Sequence, residues 1–313
     1  MEYLPKNEIL EFNPDTFEFV RKTFGLDKPG AMSEAVDILE EWIKKQQHFT
    51  TKKISREFLE RVIIANKGSI ERSKERLDRL LTLRTLSPKF FKNYDARYDF
   101  QGIQNIITYV LLPKLNKDHE RIFLCRVVGK KFSPQMYLDG YRFSILFAQY
   151  IKAHDYASAY HVVIDYRAVD VANMLANANI SDLREGVATH MEGYGLRLKG
   201  VHILTDSHLV DAIISIAKQV VSAKIGQRIH THKKLDTLYD YIPKELLPVE
   251  YGGKERPIMQ LHADWMKIFS SEEFRQYWKD MIAIKTDESL RQTDKFNEQY
   301  MGMPGTFRTL SVD

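Results

Sequence analysis

The amino-acid sequence predicts an α/β fold, in which an all-helical N-terminal part precedes a mostly parallel β-sheet with helices packed on it. The first part is strongly charged with apolar residues at helical spacing, whereas short β-branched runs alternate with helical stretches beyond about residue 100. Strands that alternate with helices are typical of parallel sheets. We expect a helical domain over 1–95, a mixed domain over 96–256, and C-terminal helices with an irregular tail over 257–313.

Three amphipathic helices are predicted in the N-terminal part. Apolar residues recur every three or four positions over 32–48, 56–66 and 70–84. That spacing places them on one face of a helix. Gly68 separates the second helix from the third, and Pro88 ends the third because the residue before a proline disfavours the helical conformation.

Short apolar runs in the mixed part predict four strands. They are IFLCRVV (122–128), HVVIDY (161–166), LKGVHIL (198–204) and the weaker RIHTH (228–232). Between and after them, helices are predicted over Met136–Ala153, Asp182–Met191, Leu209–Lys218 and 258–281. This alternation is the main support for the parallel sheet.

Composition limits the class of protein. The chain has 313 residues, is 44% hydrophobic and 28% charged, and carries a net charge of +4. So mild a charge does not predict nucleic-acid binding, which usually accompanies a domain pI above about 9. The single cysteine, Cys125, favours a reducing compartment. The opening MEYLPKNEILEF lacks the apolar core of a signal peptide, and no apolar run approaches the roughly 20 residues of a membrane span, so we expect a cytoplasmic protein.

Motifs for catalysis are not found. The sequence has no phosphate-binding P-loop and no G-x-S-x-G nucleophile, and GYGLRLKG (193–200) lacks the third glycine of a dinucleotide loop. His230 and His232 have no third ligand at believable spacing and are expected to be hydrogen-bonded or at the surface. Cys125 is expected to be buried and inert, and Asp165 to form hydrogen bonds. We therefore predict no enzyme, no catalytic residue, no metal and no cofactor.

The features that remain are apolar and basic. Tyr141, Ser144, Ile145 and Ala148 share one helix face, which is either a core face or the wall of a lipid-sized pocket with a few polar groups. The stretch LVDAIISIAKQVVSAK (209–224) is apolar over most of its circumference, which is typical of a helix that is buried or meets something apolar. Two basic pairs flank it, Arg197 with Lys199 and Lys224 with Arg228. We expect Arg197 and Lys199 to point the same way if 197–203 is a strand, and Lys224 and Arg228 to share a face if the helix continues. They are either a solvated surface or a site for anionic head groups.

These stretches resemble the CRAL-TRIO lipid-transfer family, in particular its tocopherol and retinoid carriers. LKGVHILTDSHLVDAIISIAKQVVSAKIGQRIHTH (198–232), followed by LLPVEYGG (246–253), has the order and spacing of a basic pair, a strand, an apolar lid helix and a Leu-Pro-x-Glu-Tyr-Gly-Gly element. The likeness extends more weakly over residues 55–280. The ending GMPGTFRTLSVD resembles insect members.

The resemblance implies an N-terminal helical bundle, a sheet that floors an apolar pocket, and a lid helix over about Asp206–Lys218. We assign to the ligand pocket Tyr141, Ser144, Ile145, Ala148, Tyr160, Val163, Leu196, Val201, Val210, Ile213, Ile214 and Ala217. The family's phosphoinositide-binding cations fall on Arg197, Lys199, Lys224 and Arg228. A fifth family cation falls on Asn66, with Lys67 beside it.

The expected function is lipid carriage. The chain would hold one tocopherol-, retinoid- or similar isoprenoid-like ligand under the lid and exchange it by peripheral contact with phosphoinositide membranes. One alternative is a membrane-reporting adaptor that binds lipid without transferring it. An α/β enzyme is the third reading, and the sequence shows no pair of titrating groups that would support it.

Overall fold

The protein is described here by a computed structural model covering Leu4 and residues 7–291. Its N-terminal part is helical, with α1 Thr16–Thr23, α2 Ala31–Lys45, α3 Arg56–Ala65 and α4 Ile70–Leu86. The last three confirm the predicted helices. Ser55 and Ser69 cap α3 and α4 by accepting hydrogen bonds from the backbone N–H groups of Phe58 and Arg72. α1 was not predicted, because its eight residues are too few for a clear periodicity.

A five-stranded sheet follows, and the predicted α/β class is confirmed. The strands are β1 Ile107–Leu115, β2 Glu120–Gly129, β3 Ala159–Val169, β4 Leu198–Leu204 and β5 Ile229–His232. They lie side by side in chain order, with β1 antiparallel to β2 and all other neighbours parallel. β1 was missed from the sequence. It contains Pro113, which a strand tolerates at the edge of a sheet, where β1 lies.

Seven helices accompany the sheet in the described residues. They are α5 Pro134–His154, α6 Val171–Ala176, α7 Ile180–Ala188, α8 Val210–Val220, α9 Ala223–Gly226, α10 Ile258–Phe269 and α11 Glu272–Ala283. The helical structure predicted over 258–281 consists of the two helices α10 and α11. Ser271 caps the second by accepting from the Phe274 N–H, which starts a new helix. α7 runs on into a π-helix, Thr189–Gly193, a form that is rare and often found at functional sites.

Different elements pack on the two faces of the sheet. Phe123 of β2 lies 5.2 Å, ring to ring, from Phe147, so α5 packs on one face. The loop segment after β5 covers the other face, where the Tyr251 hydroxyl donates to Asp165 at 2.8 Å. α10 anchors the sheet edge through Trp265, whose Nε1 donates to the Leu111 carbonyl at 2.9 Å. α5 is therefore buried between the sheet and the outer helices.

Two predictions from the sequence concern the domain boundaries and the last residues of the chain. The boundaries of the 1–95, 96–256 and 257–313 domains remain predictions. The ending GMPGTFRTLSVD lies outside the described residues. Within the described part of the chain, no helix combines the length and apolar character needed to cross a bilayer.

Candidate functional site

The predicted pocket face of α5 is one continuous row. Tyr141, Ser144 and Ala148 follow each other at helical spacing, and Lys152 continues the row one turn further. Ile145 and Ala148 are fully buried, whereas Tyr141 and Ser144 keep accessible surface. The row crosses the core from the end nearest α7 to the end nearest the N-terminal helices.

The hydroxyl of Ser144 already has protein partners. Ser144 Oγ lies 2.8 Å from the Tyr141 carbonyl and 3.1 Å from Nε2 of His190 in the π-helix. Nδ1 of the same ring lies 2.7 Å from the Gly186 carbonyl and donates to it, which leaves Nε2 as the acceptor. His190 is a site residue that the sequence did not reveal, since no motif surrounds it. Ser144 and His190 together form a polar spot on an apolar wall.

The side chains of Tyr141 on α5, Tyr166 on β3 and His190 in the π-helix lie inside the protein and yet keep some accessible surface. Burial raises the pKa of Tyr141 and Tyr166 far above the ordinary tyrosine value and lowers the pKa of His190. All three are nevertheless partly exposed, as are Val162 and Ile164. These side chains lie between α5, β3 and the π-helix. The lipid pocket predicted from the sequence stays a prediction for this region.

Val163 does not face the region between α5, β3 and the π-helix, and this corrects its assignment to the predicted pocket. In the parallel β2–β3 pair Phe123 is opposite Val162, so both point to the same face, the one that α5 covers. Successive side chains of a strand point to opposite faces. Val163 therefore lies on the other face, beside His202, where it is fully buried. The sequence could not decide this, because every residue of HVVIDY is compatible with burial.

Tyr160 and Leu196 lie at the far end of the row. They line a separate small cavity with Ile151 and Lys152 of α5 and Ile64 of α3. The Tyr160 hydroxyl donates to Oδ2 of Asp155 at 3.2 Å. The predicted pocket residues thus lie in two places, some between α5 and β3 and others at this cavity beside the N-terminal helices.

The helix predicted over about Asp206–Lys218 corresponds to α8, and its role as a lid stays a prediction. It begins at Val210 rather than near Asp206, because the preceding residues form a turn in which the Leu209 N–H donates to Ser207. Val210 and Ile214 are buried, and Ile213 and Ala217 are half-buried. Val201, on β4, is also half-buried and packs at the edge of the core. On its outer side the helix leaves Leu209 50% exposed, so an apolar side chain is presented to solvent.

The structure brings three of the four predicted cations together. The charges of Arg197 and Lys224, burial, and the charges of Arg72 and Arg228 all lower the pKa of the Lys67 ammonium. These five groups therefore form one basic patch, defined as Lys67, Arg72, Arg197, Lys224 and Arg228. Arg72 was missed from the sequence, and Lys67 is the neighbour of Asn66, where the resemblance predicted a fifth cation. Asn66 itself is buried and donates to the Val62 carbonyl at 2.8 Å.

Lys199 has a different environment from the other three. The register between β3 and β4 shifts between Tyr160 and His161, which leaves Lys199 as the extra residue of a bulge. Its Nζ lies 2.8 Å from Glu120, whereas Arg197 precedes β4 and donates to the Ser158 carbonyl. The expectation that Arg197 and Lys199 point the same way, drawn from strand alternation, is therefore wrong. Lys224 lies in α9, which ends before Arg228, so these two do not share a helix face either.

A chain of histidines crosses the other face of the sheet. His161 Nδ1 lies 3.2 Å from His202 Nε2, and His202 Nδ1 lies 3.1 Å from His232 Nε2. The ends reach Glu120, at 3.0 Å from His161, and Thr237, at 2.9 Å from His232. Because the Thr237 hydroxyl donates to the Lys234 carbonyl at 2.9 Å, its oxygen is available to accept from Nδ1 of His232. Among the described residues no cluster suited to a metal ion occurs, and His232 has the hydrogen-bonding role expected of it.

Because of these hydrogen-bonded histidines, we expect the protein to lose stability in mild acid. Burial, followed by the neighbouring histidines, lowers the pKa of His202 to about 3. As the pH drops, His202 is therefore protonated in the unfolded state before it is protonated in the folded state. The free energy of unfolding falls as the pH drops through about 6.5. Between pH 7 and 5 we expect His202 to contribute about 2 kcal/mol of the loss. Glu120, whose pKa burial raises but His161, Lys199 and Asn116 lower to about 2, acts only at lower pH.

Urea unfolding at pH 7 and pH 5 measures this effect. The His202→Gln variant should lose less stability than the wild type over that interval. His208→Gln removes an exposed histidine before α8 and controls for the loss of a histidine as such. Equal losses in wild type and His202→Gln would exclude His202 as the source.

Two known domain families match this chain. The CRAL/TRIO domain family matches residues 108–253, and the Pinta-like UBA domain family matches residues 28–99. Among curated proteins, "Alpha-tocopherol transfer protein-like" of Mus musculus is 21% identical over 253 residues, which are 79% of this chain and 73% of that protein. The Homo sapiens protein of the same name is 22% identical over 235 residues, 72% of this chain and 67% of that protein.

A solved structure is also similar. The crystal structure of Sfh5 has 14% sequence identity and a TM-score of 0.43, and the match covers 87% of this chain and 98% of that one.

Proposed function

Residues 108–253 match the CRAL/TRIO domain family, and from this premise we propose that the chain carries one hydrophobic lipid between α5, β3 and α8. The observation that supports this most directly is the set of enclosed but incompletely covered side chains, Tyr141, Tyr166 and His190. Mostly apolar walls with a few polar groups are typical of lipid pockets. The ligand is of the tocopherol, retinoid or related isoprenoid type. We propose a carrier without a catalytic step that works in the cytoplasm.

α8 is the element that we propose to open. Its buried side chains, Val210 and Ile214, would face water on opening, which is unfavourable in solution and favourable against a bilayer. Exposed Leu209 adds apolar surface on the outside. Opening is therefore coupled to membrane contact, and the bound lipid exchanges there.

The basic patch is proposed to orient this contact. Lys67, Arg72 and Lys224 are exposed, and mutual repulsion already lowers the pKa of Lys67. An anionic head group relieves that repulsion, and each cation near an anionic membrane contributes about 1 kcal/mol. We propose that phosphoinositides provide the anionic groups. Lys199 contributes less than the sequence predicts, because Glu120 already neutralises it.

Native mass spectrometry of the purified full chain, with solvent extraction of bound molecules, tests lipid carriage. We expect one apolar molecule per chain, or uptake of one from a mixed panel of isoprenoids and phospholipids. A chain that is empty and takes up nothing from the panel would contradict the proposal.

Transfer between vesicles tests the basic patch. Replacing Lys67 and Lys224 together with alanine should slow delivery to phosphoinositide vesicles roughly 10- to 30-fold, since two cations are worth about 2 kcal/mol. The matched control replaces Lys130 and Lys131, two exposed lysines after β2 at the opposite end of the strands. Occupancy of the pocket should stay unchanged in both variants.

An unchanged rate in the Lys67/Lys224 variant would remove the patch from the mechanism. If the wild type binds lipid but transfers none to any vesicle, the adaptor alternative replaces the carrier.

A further inference from the structure

The pocket row of α5 ends in a lysine that is buried at the far end of the core. Lys152 follows Ala148 by one helical turn, on the same side as Ser144 and Tyr141. Only 4% of its surface is exposed. Among the described residues its ammonium group has no hydrogen bond and no ion pair. Burial, followed by the charges of Arg76 and Arg61, lowers the pKa of Lys152 to about 7.

Lys152 lines the cavity between α5 and the N-terminal helices. The cavity has a volume of about 20 Å³, enough for a single small polar group. Its apolar walls come from Ile64, Ile151 and Leu196, and its polar walls include Arg61 and Arg197. This cavity, with both polar and apolar walls, therefore lies at the Lys152 end of the α5 row.

The charges around this cavity are unbalanced. Arg61 donates to the backbone carbonyls of Glu57 and Asp155, and Arg197 donates to the Ser158 carbonyl. Within the described part of the chain neither guanidinium forms an ion pair with a carboxylate. Three cationic side chains, Arg61, Lys152 and Arg197, therefore border the cavity without a counter-ion of their own.

The one carboxylate at the cavity is already paired. Asp155 receives two hydrogen bonds from Arg121, at 2.8 and 2.9 Å, and both side chains are fully buried. Tyr160 and the Ala157 N–H also donate to it. Asp155 balances Arg121, so an excess of positive charge remains beside Lys152.

We propose that Lys152 receives the polar end of the bound lipid, and that this end is a carboxylate. The inference rests on the lipid-carrier function proposed above and narrows its ligand to an acidic lipid. Burying an unpaired ammonium is unfavourable, and a methionine would fill the same space without that cost. A ligand carboxylate supplies the missing negative charge. The cavity has room for a small polar group and not for a lipid tail, so binding requires the side chains between Lys152 and Ser144 on α5 to move apart and admit the tail.

A matched set of fluorescent probes tests this. The probes are cis-parinaric acid, the corresponding alcohol and the methyl ester, which share one chain and differ in the end group. Wild-type protein should bind the acid at least about 10-fold more tightly than the other two, a difference typical of one charge-assisted contact. Lys152→Met should bind all three probes alike, and Lys152→Arg should retain the preference for the acid.

The control variant is Lys267→Met, which removes an exposed lysine on α10 and should leave the preference unchanged. Equal wild-type affinities for acid and alcohol would overturn the inference while leaving lipid carriage intact. So would an acid preference that survives in a folded Lys152→Met. If wild type binds none of the probes, nor any other lipid, the proposed function itself fails. If Lys152→Met does not fold, the wild-type ratio and Lys152→Arg still decide.

Discussion

Replacing Asp155 with alanine is expected to lower the free energy of unfolding by roughly 3–5 kcal/mol, because it leaves a buried guanidinium without its partner. The Arg121 and Asp155 side chains are both fully buried and joined by two hydrogen bonds. Arg121 also donates to the carbonyls of Leu112 and Glu11, so the pair ties β2 to β1 and to the N-terminal segment. Few other single changes remove so much from this core.

Urea titration monitored by circular dichroism measures the loss. Glu41→Ala removes the carboxylate of an exposed pair with Lys44 and should leave the unfolding midpoint where it is. The double variant Arg121→Met/Asp155→Leu should recover much of the stability, since an apolar pair carries no unpaired charge. If Asp155→Ala unfolds at the wild-type midpoint, the pair does not stabilise the fold.

Gly253→Ala is expected to cost at least about 3 kcal/mol, the upper end of what overpacking usually costs. A Cβ at this position would lie 1.8 Å from the Leu247 carbonyl oxygen and 2.5 Å from that of Lys244. Both are backbone atoms that no rotamer change can move. The Leu247 carbonyl also accepts from the Glu255 N–H, so a shift breaks a second contact. The LLPVEYGG element therefore ends in glycine for steric reasons.

Gly253→Ala should also destabilise the sheet, because this loop holds the Tyr251 hydroxyl in hydrogen-bonding distance of Asp165 on β3. Thermal unfolding of the two glycine variants tests the argument. Gly102→Ala is the matched control, since a Cβ there meets nothing within 4 Å. A Gly253→Ala protein as stable as the Gly102→Ala protein would show that the loop adjusts freely.

Patterns along the chain predicted most of the helices and strands. α2, α3, α4 and α5 appear where apolar periodicity placed them, because each buries one face and the spacing records which face. β1 was missed, since Pro113 interrupts its pattern. Residues 258–281 are helical as predicted, but the sequence did not show where one helix ends and the next begins, because Ser271 can either continue a helix or cap a new one.

The site was predicted less completely. The α5 row was found because three- and four-residue spacing is visible in the sequence, and Lys152 was overlooked because a lysine is usually exposed. Val163 was assigned to the wrong face, since a fully buried strand does not show which side each residue takes. His190, Tyr166 and Arg72 had no local signal at all.

By itself, the sequence determined the α/β class, most of the elements, the α5 row and the basic residues, because these depend on spacing along one chain segment. Tertiary structure alone decided which residues meet. The bulge at Lys199 directs this lysine to Glu120, the turn after α3 places Lys67 beside Arg197, and the approach of α3 to α5 encloses Lys152 among cations. Such contacts join segments far apart in sequence, and their geometry depends on packing that no local pattern records.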